Sequence, residues 1–259
     1  MSTFAICIAG ITGWTGTALA DAVAASEDLE LRSGVSRSAA GGEIHGAPVY
    51  ASVGESLEGI DVLIDYTSHD VVLENTLTAV EHGTAVVIGT SGLTAEDFER
   101  IDAAAREAGV GVVAAGNFSL TAAMAQAAAL LAARHLPSWE VIDYASAGKA
   151  DAPSGTAREL AERLGEVRAP QVERTVADTA GLREARGATV GGTQVHSLRL
   201  PSFVVSTEVI FGLPDERLSI RHDAGGTPAP YVAGTLLAAR AAPGRIGLTR
   251  GLDTLLLAA

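Results

Sequence analysis

The sequence predicts a two-domain α/β protein, a doubly wound parallel sheet followed by an α+β region built on a mostly antiparallel sheet. Two observations carry this. Up to about residue 118, short apolar runs each feed a stretch of helical periodicity, the alternation that builds a parallel sheet covered on both faces. Beyond Ser119 the order changes, and strand-like runs follow one another directly, as antiparallel neighbours do. The expected boundaries are 1–118 for the first domain, 119–225 for the second, and 226–259 for a carboxyl-terminal segment returning to the first. No internal repeat or low-complexity linker interrupts them.

The first run, Phe4-Ala5-Ile6-Cys7-Ile8-Ala9, is continuously apolar, as a strand buried on both faces requires. It leads into Gly10-Ile11-Thr12-Gly13-Trp14-Thr15-Gly16 and an alanine-rich helix to about Ala25. The spacing is G-x-x-G-x-x-G. Its glycines still permit a tight turn, close approach of backbone to a pyrophosphate, and close packing of helix on strand. At the first strand and first helix this predicts a Rossmann-type dinucleotide site, with Gly10, Thr12, Gly13, Trp14, Thr15 and Gly16 as cofactor contacts. The second strand, Leu29 to Val35, ends at Ser36-Arg37 rather than at an acidic residue. A hydroxyl and a guanidinium suit a 2′-phosphate, so NADPH is expected, with NADH left open.

Residues 38–60 are glycine-rich and polar, with a short strand at Val49 to Ala51 and a helical turn at Val53 to Leu57. Asp61 to Thr67 is the next strand, then a helix to about His82. Thr84 to Ile88 ends in Gly89-Thr90-Ser91-Gly92, and Thr94-Ala95-Glu96-Asp97 opens another helix. Val110 to Ala114 ends at Gly116-Asn117-Phe118-Ser119. These polar strand ends should gather at the carboxyl edge of the sheet, where such folds bind ligands. Tyr66, Thr67, Gly89, Thr90, Ser91, Asn117 and Phe118 join the expected cofactor contacts.

A long alanine-rich helix to about Arg134 precedes a strand at Trp139 to Ala145 and the loop Ser146 to Thr156. Lys149 is the only lysine, against 17 arginines. Arginine is always protonated, whereas an ammonium can give up a proton, so this position is singled out for chemistry. Ser154-Gly155-Thr156 opens a helix with apolar Ala157, Leu160, Ala161 and Leu164, and its backbone N–H groups and dipole suit an anion beside Lys149. Residues 165–190 read as an exposed excursion. Strands are expected at Thr193 to Leu200, Phe203 to Phe211 and Arg217 to His222, a helix at Tyr231 to Ala242, and a short strand or apolar tail at Leu252 to Leu257.

A formal charge of −13 and a pI near 4.8 argue against nucleic acid and anionic membranes. Cys7, the sole cysteine, cannot form an intrachain disulfide and is expected buried and reduced. No signal-peptide pattern or transmembrane-length apolar run is present, which predicts a cytoplasmic protein. The histidines show no metal-ligand spacing, and no metal is expected. His45, His69, His82, His135 and His196 read as surface or helix-end residues, while His222 falls at a strand end and is a candidate substrate contact.

Together these residues resemble the dihydrodipicolinate reductase family. K-x-D-x-P-S-G-T fits Lys149, Asp151, Pro153, Ser154, Gly155 and Thr156 without a gap, and the glycine turn, Asp65-Tyr66-Thr67, Gly89 to Gly92, Asn117 to Ser119, Arg199 and His222 extend the match over most of the chain. The resemblance implies reduction of a small anionic cyclic imine of the lysine pathway by hydride transfer. Gly155 and Thr156 would bind a carboxylate, with Ser154 beside them, and Lys149 would bind or protonate the substrate. It also implies a homo-oligomer, a tetramer or a dimer, formed through the second domain's sheet. Three departures fall in the substrate half. Where the family has two adjacent histidines before the lysine, this chain has Ala145 and Ser146. The histidine after Arg199 is missing, with Thr207 nearby, and no arginine follows His222 in His222-Asp223-Ala224-Gly225-Gly226-Thr227-Pro228. Ser146 would take over part of the lost hydrogen bonding. A paralogous imine reductase or amine or diamino-acid dehydrogenase, or a silent nucleotide-binding descendant, are the alternatives. The intact lysine loop favours an enzyme.

Overall fold

The structure is a computed structural model that describes residues 3–257. In chain order its elements are β1 (Phe4–Ala9), α1 (Trp14–Ala24), β2 (Leu29–Val35), β3 (Glu43–Ile44), β4 (Ala47–Tyr50), β5 (Val62–Asp65), α2 (Val72–Glu81), β6 (Ala85–Ile88), α3 (Ala95–Ala108) and β7 (Gly111–Ala114). There follow α4 (Leu120–Ala133), β8 (Ser138–Ala145), α5 (Gly155–Val167), β9 (Ala188–Val190), β10 (Thr193–Arg199), β11 (Val205–Leu213), β12 (Glu216–Asp223), α6 (Ala229–Ala241), β13 (Gly247–Arg250) and α7 (Leu252–Leu257). The chain divides into two compact units. One runs to Leu120 and resumes at Pro228; the other is Thr121–Thr227.

The first unit is an eight-stranded sheet in the order β13-β7-β6-β5-β1-β2-β4-β3, parallel except for the β3–β4 pair. Its central strands read as continuous Val/Ile/Leu runs because both faces are covered; every residue of β5, β6 and β7 is buried. Strand order reverses at β1, which lies between β2 and β5, so the crevice at their carboxyl ends is where a doubly wound sheet takes a ligand. Helix α3 shows how local signals set the boundaries. Thr94 and Asp97 form a reciprocal capping box, and Gly109 closes the helix at φ 68°, a conformation a side chain would disfavour.

The second unit is a five-stranded sheet in the order β12-β11-β8-β10-β9, antiparallel apart from the β8–β10 pair. Strand β8 alternates strictly, with Trp139, Val141, Asp143 and Ala145 buried and their neighbours half-buried. Trp139 and Val141 join Val195, Val209 and Phe211 in a core closed by Ala129 and Ala133 of α4 and Ala157, Leu160, Ala161 and Leu164 of α5. The alanines let the helices approach the sheet closely.

Four local expectations change. Leu252–Leu257 is a helix, whose Leu252 and Leu255 are buried three residues apart. The strand in that region is instead β13, short and missed in the sequence, with Arg250 lying over the Phe98 ring at 4.2 Å. Residues 53–57 form turns, because Ser33 and Ser56 hydroxyls bind backbone carbonyls there. Phe203 lies before β11 and packs on Tyr144, their ring centroids 4.9 Å apart. Among the described residues no helix is long and apolar enough to cross a membrane.

Candidate active site

The glycine turn is built by contacts that exclude side chains. Gly10, at φ 80°, has the Tyr66 carbonyl oxygen where a Cβ would need to be, at 2.3 Å, and a Cβ on Gly16 would meet the Gly10 carbonyl oxygen at 2.0 Å. The Gly10 N–H donates to the Val35 carbonyl at 3.0 Å and the Gly13 N–H to the Gly10 carbonyl at 2.8 Å, pinning the turn to the β1 and β2 ends. Helix α1 then starts at Trp14 with no side-chain cap and no acidic residue in its first turn. An uncapped helix start over a cradle too tight for a Cβ fits a dinucleotide pyrophosphate.

The other expected cofactor residues lie at the same sheet edge. Thr12 and Ser36 share a hydroxyl hydrogen bond at 2.8 Å, and Ser36 also meets the Ser38 hydroxyl at 3.2 Å. Arg37 is exposed beside them, and Thr15 is half-buried in the first turn of α1. Trp14 is 54% exposed and makes an edge contact with Tyr231, their centroids 6.0 Å apart. Asp65, fully buried at the end of β5, organises the middle of the edge. It accepts from the Thr67 N–H at 3.0 Å, the Thr67 hydroxyl at 2.6 Å, the Thr90 hydroxyl at 2.7 Å and the Asn75 amide at 2.8 Å. Thr67 and Thr90 are therefore held by one carboxylate that the sequence had shown only as a strand end. Ser91 is exposed next to them.

Tyr66 and Phe118 are structural in this edge. The Tyr66 ring lies against Gly89, where a Cβ would be 2.1 Å from the ring, and its hydroxyl bonds Thr235 at 2.8 Å. Burial pushes that hydroxyl well above the ordinary phenol range, with the Thr235 bond opposing. Phe118 is 1% exposed, 6.3 Å from Tyr66 between ring centroids, and Asn117 Oδ1 accepts the Ser119 N–H at 2.8 Å.

In the second unit the network centres on Asp143, absent from the residues singled out in the sequence. It is fully buried and accepts from the Ser154 N–H at 2.9 Å, the Ser154 hydroxyl at 2.7 Å, the Ser197 hydroxyl at 3.0 Å and Arg199 Nη2 at 2.8 Å. Burial alone would raise its pKa, but the bonds from Ser154, Arg199 and Ser197 outweigh it and hold the carboxyl below its ordinary range. Arg199 Nη2 also donates to the Asp151 carbonyl at 2.7 Å, and Asp151 Oδ1 holds Lys149 Nζ at 2.7 Å. One buried carboxylate thus fixes both the start of α5 and the loop that presents the lysine. The signal for Asp143 was its parity: a charged residue at an inward position of an alternating strand needs a partner.

Ser154 spends its N–H and hydroxyl on Asp143 while its oxygen accepts from the Ala157 N–H at 3.4 Å, which makes it the α5 cap. Gly155 and Thr156 form the first turn of α5, which carries no acidic side chain. Ser146 is exposed, and its carbonyl accepts the Lys149 N–H at 3.1 Å. His222, half-buried on β12, meets the Thr121 hydroxyl at 3.1 Å. Burial pushes its imidazole below the ordinary histidine range, with Asp223 opposing. His196 corrects one expectation. It stands within β10 and bonds Glu140 at 2.7 Å, with Arg186 on the other carboxylate oxygen. No cluster suited to a metal ion occurs among the described residues.

A dinucleotide cradle at the switch point of a parallel sheet, joined in one chain to a unit carrying a lysine in the loop that leads into a helix, defines an oxidoreductase that uses a pyridine nucleotide. The amino-terminal model of dihydrodipicolinate reductase matches residues 4–118 and the carboxyl-terminal model residues 116–256. The chain belongs to the dihydrodipicolinate reductase family. The 4-hydroxy-tetrahydrodipicolinate reductase of Streptococcus suis is 37% identical over 256 residues, 98% of this chain and 100% of that protein. That of Mycolicibacterium smegmatis is 38% identical over 250 residues, 96% and 97% of the two chains. A dipicolinate-bound dihydrodipicolinate reductase from Paenisporosarcina sp. TG-14 has a TM-score of 0.77 at 27% identity, covering 97% of this chain and 99% of that one.

Proposed function

We propose that the chain binds 4-hydroxy-tetrahydrodipicolinate, whose ring hydroxyl leaves as water, and reduces the resulting cyclic imine, with NADPH as its preferred reductant. The observation that carries this reading is the Asp143 network, which keeps the K-x-D-x-P-S-G-T loop and the start of α5 in fixed register although the family's histidines are absent. When bound, the nicotinamide supplies a hydride to the ring carbon. The chain's own residues do the rest. The amide groups of Gly155 and Thr156 at the α5 start hold a ring carboxylate, and Lys149, oriented by Asp151, stabilises the negative charge that develops and delivers the proton. Ser154 acts as a positioning residue, while Ser146 and His222 border the ring.

Gly10, Gly13 and Gly16 hold the pyrophosphate over α1, with Thr12 and Thr15 beside it and Trp14 flanking the nucleotide. Ser36 and Arg37 meet the 2′-phosphate, and Thr67, Gly89, Thr90, Ser91 and Asn117 line the approach of the nicotinamide, supported by Tyr66 and Phe118. The protein acts in the cytoplasm as a homo-oligomer, built through the sheet face of the second unit that carries Ile142, Tyr144 and Ile210, all half-buried. A second reading rests on Ala145 and Ser146 at the positions of the histidine pair, and on the missing histidine near Thr207: the same machinery serving a different cyclic imine. Oxidation of NADPH with the lysine-pathway compound, generated in situ by its synthase, against a panel of other cyclic imines tests the two. Turnover confined to another imine would replace the first reading with the second.

A further inference from the structure

The inward face of the second sheet carries an unusual row. Ser197, Asp143, Thr207 and His222 stand side by side on β10, β8, β11 and β12. The next row on that face, Val195, Val141, Val209 and Ile220, is wholly apolar. Three members of the polar row have hydrogen-bond partners: Asp143 and Ser197 bond each other, and His222 meets Thr121. Thr207 does not. It is 6% exposed, and its Oγ1 is buried with no hydrogen-bond partner among the described residues. A valine would fill the same shape without that cost, so this hydroxyl, paired with no protein group, is left for a partner that enters beside it.

Thr207 lines a cavity of about 20 Å³ together with Gln126, Thr156, Leu160, Val209 and His222. That volume admits one water-sized group. Thr156 places it directly beside the start of α5, where the proposed reading puts a carboxylate. No aspartate, glutamate, lysine or arginine lines it, and burial disfavours the charged form of the His222 imidazole, so no side chain there pairs with an ionised group.

We propose that Thr207 is a specificity-determining residue whose hydroxyl, in this neutral compartment, receives the ring hydroxyl of a hydroxylated cyclic dicarboxylate. Because a threonine hydroxyl both donates and accepts, it pairs with that oxygen as a hydroxyl or as a ring carbonyl. The inference rests on the substrate reading above and deepens it: the chain distinguishes the hydroxylated ring from its unhydroxylated counterpart.

The test compares dipicolinate with 4-hydroxypyridine-2,6-dicarboxylate, two rings that differ by one hydroxyl, by calorimetric titration of the NADPH-loaded protein. The wild type should bind the hydroxylated ring at least about fivefold more tightly, as one neutral hydrogen bond made by an otherwise unsatisfied group implies. Thr207→Val should abolish the preference while leaving thermal stability equal or higher, and Thr207→Ser should restore it. That combination separates a ligand contact from a structural role, which would lower stability without changing the ratio. A wild type that binds both rings equally, or a preference that survives in Thr207→Val, overturns the inference and leaves the substrate reading standing. A wild type that binds neither ring overturns both.

Discussion

Replacing Asp143 is the sharpest perturbation of the second unit. Asp143→Ala removes the acceptor for the Ser154 N–H and hydroxyl, the Ser197 hydroxyl and Arg199 at once. Arg199, whose side chain is 17% exposed, would then keep its charge in a buried setting without its carboxylate, a loss of about 3–5 kcal/mol. Asp143→Asn retains shape and part of the hydrogen bonding, and should cost about 1–3 kcal/mol. The readout is urea unfolding in a Trp14→Phe background, where Trp139, the other of two tryptophans and 5% exposed in the core of this unit, reports the transition. The pH dependence has a definite sign. The folded pKa of Asp143 lies below its unfolded value of about 3.9, so its contribution is fully present above about pH 4 and is lost as pH falls through the folded value. The Asp143→Asn penalty should therefore be constant from neutrality down to about pH 4 and shrink below that. A loss under about 1 kcal/mol for Asp143→Ala at pH 7 would refute the claim that this carboxylate holds the site together.

Three further outcomes are expected. Lys149→Met should lower kcat/KM by at least about tenfold with NADPH affinity unchanged, and unaltered turnover would remove the lysine from the reaction. Arg37→Ala should weaken NADPH by about tenfold or more while leaving NADH nearly untouched, since only the former loses a charge-assisted bond; equal losses in titrations of both nucleotides would count against the 2′-phosphate role. Gly16→Ala sets a Cβ 2.0 Å from the Gly10 carbonyl oxygen, so the turn must open. A stability loss of about 1–3 kcal/mol with weakened binding of both nucleotides is expected, and a fully stable variant with wild-type nucleotide affinity would show that the tight turn is dispensable.

The fold was legible where one physical rule acts alone. Buried parallel strands such as Val62–Asp65 and Ala85–Ile88 announce themselves as unbroken apolar runs, and Gly10 to Gly16 announces a turn that side chains cannot enter. It was less legible where tertiary contacts decide. Leu252–Leu257 is too short for helical periodicity to show, and β13 is a four-residue strand whose place depends on pairing with β7. The lysine loop stood out through the rarity of its residue type. Asp65 and Asp143 did not, because each lies in a strand and draws partners from distant positions, up to 25 away for Asp65 and up to 56 away for Asp143. Thr207 was noted only as lying near a missing histidine; its unsatisfied hydroxyl and its place in a polar row are properties of register.

The central claim is that Lys149 and the Asp143-organised loop suffice for the lysine-pathway reduction without the family's histidines. Its most direct measurement is growth of a bacterium lacking its own reductase of this step, on medium without diaminopimelate or lysine, carrying either the wild-type chain or Lys149→Met at matched expression. The account predicts that the wild type restores growth and that Lys149→Met does not. An expressed, NADPH-binding wild type that fails to restore growth would contradict it, as would rescue by Lys149→Met equal to that of the wild type.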